Sequence, residues 1–318
     1  MGLSILVTVA FIGSLVEGQK DVQKAKSLYK GVRLGSISHY HPLTKNARGT
    51  CHMFPEPPSG KNGVWGSVAL PNVGGNTFAN GKTCGMCIEA IATHTNPKGG
   101  VPGPNKKEYP PKGKVLRLFV NNACADCYYK NQLDVSVKPY NQKGLFKTWW
   151  RAVDCNPGKA GVQIIFDDAS SVHYIGVQPR NMPMPAIKTE YWHRNAKKWF
   201  NLKWKAGFFQ IKTSQIPGKW PKNLIKPPLK LRITSLKGEK KIINAMKIIK
   251  GRKPVPVKPK VQFKRMTAPP KKGTCKNVPV KKKKRCGNKG TGQFACKLLK
   301  CCYSAKGKGP KCYKKVKK

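Results

Sequence analysis

Apolar and polar residues alternate over short stretches through most of this chain, the pattern of half-buried strands. Val115-Leu116-Arg117-Leu118-Phe119-Val120 and Val162-Gln163-Ile164-Ile165-Phe166 read as strands within a Gly- and Pro-rich region from Asn46 to about Asp168. The β pattern continues from Ser170 to Gly251. There Leu229-Lys230-Leu231-Arg232-Ile233-Thr234 predicts one buried and one wet face, and Lys237-Gly238 marks the turn after it. Helical character is confined to the neighbourhood of Val22–Lys30, inside a polar, basic leader from Gln19 to Lys45. Pro254-Val255-Pro256-Val257-Lys258-Pro259 predicts an extended, stiff linker. One apolar run, Leu3 to Leu15, is too short to span hydrocarbon. Val16-Glu17-Gly18 ends it with small residues, so Met1–Gly18 reads as a cleaved signal peptide. No later segment is long and apolar enough for a transmembrane helix, and no membrane partner is expected.

Composition changes this picture in two ways. The 12 cysteines fall into two groups of six, Cys51 to Cys155 and Cys275 to Cys312, which implies two separately stapled regions in an oxidising compartment. The net charge is +51, and no acidic residue follows Glu239; from Lys253 to the end there are 23 Lys/Arg and no Asp or Glu. Self-repulsion at that density points to a polyanionic partner. Sulfated or carboxylated glycans, mucins, acidic matrix proteins and mineral-associated polyanions fit a secreted chain. Nucleic acid fits the charge, but no nucleic-acid-binding motif accompanies it.

The C-terminal cysteines read Cys275, ten residues, Cys286, nine residues, Cys296, four residues, Cys301-Cys302, nine residues, Cys312, with Cys302-Tyr303 and Cys312-Tyr313 inside the pattern. Spacing alone leaves 15 connectivities. The pattern resembles the trefoil (P-type) module of animal secreted proteins. That resemblance implies the pairs Cys275–Cys302, Cys286–Cys301 and Cys296–Cys312. The family usually has an Arg three residues before the second cysteine; Lys283 stands there, with Arg285 beside the cysteine.

The two β regions together resemble expansins. The first carries Gly49-Thr50-Cys51, Cys84-Gly85-Met86-Cys87, Val120-Asn121-Asn122-Ala123-Cys124-Ala125-Asp126-Cys127, Leu133-Asp134-Val135-Ser136 and Trp150-Arg151-Ala152-Val153-Asp154-Cys155. The second carries Tyr174-Ile175-Gly176-Val177, Lys198-Trp199-Phe200-Asn201-Leu202 and Pro228–Thr234. The resemblance implies a mainly β chain: a six-stranded double-psi β-barrel, then an immunoglobulin-like β-sandwich that binds carbohydrate, then the small disulfide-rich trefoil. The expected divisions are 1–18 signal peptide, 19–45 basic leader, 46–168 barrel, 169–252 sandwich, 253–272 linker, 273–313 trefoil and 314–318 basic tail. By the same resemblance Cys51–Cys84 and Cys87–Cys155 pair. Cys124-Ala125-Asp126-Cys127 and Cys84-Gly85-Met86-Cys87 also have zinc-like spacing. A secreted context and the lack of a His at ligand spacing argue against metal, while spacing alone leaves a four-cysteine zinc site open. The expansin resemblance instead divides these cysteines among disulfides, with a local Cys124–Cys127 bridge. No metal or other cofactor is expected.

Expansins loosen or bind polysaccharide without cutting it, on a barrel similar to that of inverting endoglucanases, which need two carboxylates. Asp134 stands where the family keeps its acid. Asn122 stands at the other acidic position, and the stretch Thr50-Cys51-His52-Met53-Phe54 offers no carboxylate before Glu56. An amide cannot take a proton from attacking water. Asp134 is therefore read as a remnant acid, or as a strand-end carboxylate bonded to backbone, and hydrolysis is not expected.

The candidate carbohydrate-binding residues are Thr50, Asn122 and Asp134 in the barrel, with Trp149 or Trp150 at the groove edge, and Tyr174, Trp204 and Phe208 in the sandwich. The resemblance places His173 and Tyr174 at two platform positions and Gly207 near the third; Trp199 is assigned to the core. Three functions follow. The first is a secreted, non-hydrolytic polysaccharide binder of an animal extracellular matrix, on a chitin- or cellulose-like polymer. The second is a structural component of a chitinous or calcified, shell-type matrix. The third is a residual endoglucanase.

Overall fold

The structure is a computed structural model. It describes residues 18–318 except 41–48, 54–65, 74, 94, 97–111, 137–143, 220, 268–272, 274, 276–277, 288–290, 306–308 and 317–318. The expected signal peptide, apart from Gly18, lies outside the described residues, and so does Glu56. No described helix is long and apolar enough to cross a membrane.

Six strands close into a double-psi barrel: β1 (Arg33–His39), β2 (Gly66–Pro71), β3 (Cys87–Ala92), β4 (Leu116–Cys124), β5 (Leu133–Ser136) and β6 (Phe146–Val153), in the order β1-β5-β2-β4-β3-β6. The pairs β1–β5 and β2–β4 are parallel; the other neighbours are antiparallel. Alternate residues fill the interior, among them Val68, Leu70, Ile88, Leu118, Leu133, Val135 and Phe146, all 2 % exposed or less. Trp150 joins them at 0 % exposure and donates its Nε1–H to Asn131 O at 2.8 Å. It belongs to the core, not to the groove edge proposed from sequence; Trp149 is half-buried.

The basic leader is part of this barrel. A helix, α1, spans 18–27. Ala25 and Leu28 are buried in the barrel core, with Val22 and Tyr29 packed beside them, a single apolar stripe at helical spacing. Arg33 turns back to donate to Ser27 O at 2.6 Å and Leu28 O at 3.2 Å, satisfying carbonyls at the helix end. The next residues form β1, so the barrel begins at Arg33 rather than at Asn46.

The second region is one curled sheet of eight strands: β7 (Gln163–Phe166), β8 (Tyr174–Arg180), β9 (Ala186–His193), β10 (Lys198–Lys205), β11 (Phe208–Lys212), β12 (Leu229–Ser235), β13 (Lys240–Met246) and β14 (Val255–Pro256). The order is β13-β12-β9-β10-β11-β8-β7-β14. The sheet folds over a second core that includes Ile164, Phe166, Val177, Tyr191, Leu231 and Ile233. The Pro-rich segment after Lys253 is extended, as its composition predicts, but it is not free of the sandwich. Its residues Val255–Pro256 pair with β7, Val257 and Phe263 enter the core, and Val162 N donates to Val261 O at 2.9 Å. Its far end is held by Asp154 of the barrel, which accepts from Met266 N at 2.7 Å and Thr267 N at 2.9 Å.

Barrel and sandwich meet at one tight seam. The β10–β11 hairpin turns on Ala206 (φ 46°) and Gly207 (φ 79°), the positive-φ pair that a two-residue hairpin requires. Any Cβ at Gly207 would collide with the carbonyl of Cys51. Gln178, 1 % exposed, donates Nε2 to Cys51 O at 2.9 Å and to Gly207 O at 2.6 Å. Cys155 N donates to Pro183 O at 2.8 Å across the same seam.

The C-terminal module has α2 (Gln293–Leu298) and a hairpin of β15 (Cys302–Tyr303) and β16 (Cys312–Tyr313). Its buried residues are few, Ala295, Cys296, Leu298, Cys302, Cys312 and Tyr313, so disulfides must supply the cohesion. Lys283 places its ammonium 5.0 Å over the Tyr313 ring. The module docks on the barrel through α2, which packs on β3 and β6. Lys297 Nζ donates to Gly113 O at 2.8 Å, and Lys300 pairs with Glu89. Disulfides join Cys51–Cys84, Cys87–Cys155, Cys124–Cys127, Cys275–Cys302, Cys286–Cys301 and Cys296–Cys312, and no cysteine is free. Six disulfides fit an oxidising compartment.

Candidate functional site

The register of the barrel aligns four residues in one row. Ser38 on β1 pairs with Asp134 on β5, Asp134 with Ala69 on β2, and Ala69 with Asn122 on β4. Residues directly opposite in a sheet share a face. Asp134 and Asn122 therefore flank the small Ala69 two strands apart, roughly 10 Å between backbones. Ala69 is buried against the Cys124–Cys127 disulfide and Tyr40.

The polar groups of the row are held in place. Asn122 Oδ1 accepts from Thr50 N at 2.8 Å, Thr50 Oγ1 at 2.9 Å and Ala123 N at 2.9 Å. Three donors on one oxygen fix the amide orientation and leave its NH2 as a donor group. Gln132 Nε2 donates to Ser38 Oγ at 3.0 Å, and Ser38 Oγ donates to Asp134 Oδ1 at 2.8 Å. Burial pushes the Asp134 pKa up to about 6; the Ser38 hydrogen bond opposes this and the Asp126 charge adds to it. A half-buried carboxyl next to an amide and hydroxyls can hydrogen-bond sugar hydroxyls. Asn122 cannot serve as the second carboxylate of hydrolysis. Glu89 is 4 % exposed and ringed by Arg151 at 3.2 Å, Lys300 at 3.3 Å and Arg117 at 3.9 Å, on the strands that carry the trefoil. It is ion-paired there and cannot serve as Asp134's partner base.

Thr50, Asn122 and Asp134 are thus brought together. The sandwich candidates are not one group. Tyr174 is half-buried; its ring lies over Gly176, where a Cβ would collide with it, and its hydroxyl reaches Asp167 Oδ2 at 3.5 Å. Burial and the Asp167 charge push its pKa up to about 12. Phe208 is 1 % exposed, edge-on to His52 at 6.3 Å, with Arg252 over its ring at 5.3 Å. It is sealed in the seam and cannot stack on a sugar. Trp204 packs against both cores and Phe209, with Nε1 against Gly81 of the barrel, so it too is a seam residue. His173 is exposed. Trp199 was assigned to the core and is instead half-buried on the outer side of the sheet, against Trp192.

Sequence reading missed Ser38, Tyr40, Gln132 and the pair Tyr128-Tyr129. Tyr128 is 78 % exposed, directly after the Cys124–Cys127 disulfide, and Gln132 ties that loop to the row. An aromatic pair in an otherwise polar loop was the available signal. Among the described residues, two clusters have metal-like spacing, and the cysteines of both are in disulfides.

The trefoil (P-type) domain family matches residues 275–315. No match was found among curated proteins. Among solved structures, the apo expansin of Clavibacter michiganensis superposes with a TM-score of 0.53 at 17 % identity, covering 73 % of this chain and 98 % of that one. A point mutant of the Clavibacter michiganensis expansin in complex with cellohexaose gives 0.52 at 18 % identity with the same coverage. Closed barrel, curled sheet and matched C-terminal module together make this an expansin-like fold carrying a C-terminal trefoil domain.

Proposed function

We propose that the protein is a secreted, non-hydrolytic polysaccharide-binding protein of an animal extracellular matrix. The observation that carries this reading is the row Ser38–Asp134–Ala69–Asn122: a positioned set of sugar-binding groups with one carboxylate where hydrolysis needs two. Cellohexaose bound to the expansin mutant supports a β-linked glucan or chitin-like chain as the ligand of the groove. The net charge of +51 supplies a second, less specific hold on sulfated or carboxylated glycans, mucins or acidic matrix proteins. The lysine load equally favours a structural role in a chitinous or calcified matrix, where the groove anchors the protein to the fibre.

Pull-down on cellulose, chitin and sulfated glycan at two salt levels, paired with reducing-end counting on soluble β-glucan and chitin, tests this. Retention on a neutral fibre at high salt without new reducing ends is expected. Release from both neutral fibres at high salt would reduce the protein to a polycation. New reducing ends would make it an enzyme.

A further inference from the structure

The outer face of the sandwich, on strands β9, β10 and β12, carries an arrangement that the barrel groove does not use. Tyr191, Leu202, Leu231 and Ile233 point into the core from these strands, so their alternate neighbours point out. Those outward neighbours include two tryptophans. Trp192 and Trp199 are directly paired in the β9–β10 register, with ring centroids 5.4 Å apart. Neither belongs to a core cluster, and both are half-buried.

Cations stand against both rings. Arg232 lies 4.5 Å from the Trp199 centroid, and two 2.7 Å hydrogen bonds to Glu190 lock its guanidinium. Lys188 also pairs with Glu190, at 2.9 Å, which leaves this cluster with one surplus positive charge. Lys230 differs. Its ammonium sits 5.6 Å from Trp192 and 5.8 Å from Trp199, and none of the described carboxylates forms a salt bridge with it. The face therefore joins two aromatic surfaces to a centrally placed ammonium whose charge is not matched. Sugar rings stack on tryptophan, and sulfate or carboxylate substituents pair with ammonium.

We infer that Trp192, Trp199 and Lys230 form a second glycan-binding site, separate from the barrel groove and selective for saccharides bearing sulfate or carboxylate groups. Charge complementarity selects the occupant: a neutral sugar leaves Lys230 unmatched, and an acidic polypeptide offers charge without a ring face for the tryptophans. Arg232 and Glu190 are positioning residues that hold the Trp199 ring.

The test uses the full-length oxidised protein, with affinities measured by calorimetry across a salt series. The probes are a heparin hexasaccharide, an oligogalacturonate, cellohexaose and poly-glutamate. Trp192→Ala, which keeps the charge, should weaken binding of at least one of the two anionic saccharides by about threefold to tenfold. The steepness of its salt dependence should stay unchanged. Lys230→Gln should weaken the same binding and lower the salt slope by about one unit. Lys314→Gln on the trefoil, equal in charge, should lower affinity less. Trp192→Phe should restore most of the loss, which separates stacking from misfolding. Asp134→Asn should leave this binding intact; its loss there would relocate the site to the groove. Wild-type affinity in Trp192→Ala would overturn the proposal. Weakening of cellohexaose by the same factor would overturn the anionic selectivity, and equal weakening of poly-glutamate would make the face a protein-docking surface. None of these outcomes depends on whether the groove holds a neutral fibre.

Discussion

Lys300 Nζ lies 3.3 Å from the buried Glu89 carboxylate, so the trefoil is ion-paired to the barrel across a sequence separation of more than two hundred residues. The partners are unequal: the Glu89 side chain is 6 % exposed and that of Lys300 is 38 %. Lys300→Ala should cost under about 1 kcal/mol, because a half-exposed ammonium regains water. Glu89→Ala should cost about 3 kcal/mol, since it also strips Arg151 of its partner. Urea denaturation of both variants, with proteolytic release of the trefoil as a second readout, checks the ranking. Wild-type stability and no added proteolytic release of the trefoil in either variant would show that the pair does not anchor the module.

Asp134 makes stability fall as pH rises. Its folded pKa of about 6 lies above its ordinary value of 3.8, so between pH 4 and 6 the folded state binds more protons than the unfolded one. The contribution of Asp134 to stability is then highest below about pH 4, falls towards pH 6 and is flat above it, a swing of about 3 kcal/mol. Asp134→Asn should stabilise the protein by about that amount at pH 7 and leave it unchanged at pH 4. Denaturation midpoints at the two pH values decide this; a variant less stable at pH 7 would mean that the ionised carboxylate is well solvated.

Gln178 satisfies Cys51 O and Gly207 O at once. Gln178→Ala should leave both carbonyls without their donor and cost about 2 to 4 kcal/mol. Because the loss falls between barrel and sandwich, fluorescence and circular dichroism transitions that coincide in the parent should separate. Coincident transitions in the variant would locate the coupling elsewhere.

The trefoil disulfides close segments with sequence separations of 27, 15 and 16 residues. Each contributes roughly 3 kcal/mol in the chain-entropy model, more than a core of this size can replace. Reduction should unfold this module, read as loss of protease resistance confined to Gly273–Tyr313. Non-reducing peptide mapping of the native chain should return the three pairs within this group. Any bridge to the barrel cysteines would refute the division.

What sequence revealed depended on how local each signal was. The Leu229–Thr234 alternation reports its own face, and it folds as β12 with Leu231 and Ile233 buried. The strand β1 reads Arg-Leu-Gly-Ser-Ile-Ser-His, in which only Ser36 and Ile37 are buried. It is a strand because β5 and β6, about a hundred residues away, lie on either side. Phe208 looked like a sugar-stacking residue because nothing in its neighbours reveals that the Gly207 turn meets Cys51. Asn122 and Asp134 could be named from their segments. Their alignment across Ala69 needed the barrel register.

The strap that ends at Asp154 sets how far the trefoil can stray. Chain pinned at Thr267 leaves only residues 268–272 before Gly273, a reach of roughly 20 Å at full extension. Within that radius the module meets the barrel at an effective concentration in the millimolar range, typical of short tethers. Contacts as modest as one half-exposed lysine pair and one lysine–carbonyl bond can then keep it docked. Carrying the module beyond that radius would require unfastening the strap, so the Asp154 contacts strengthen an interface that they do not touch.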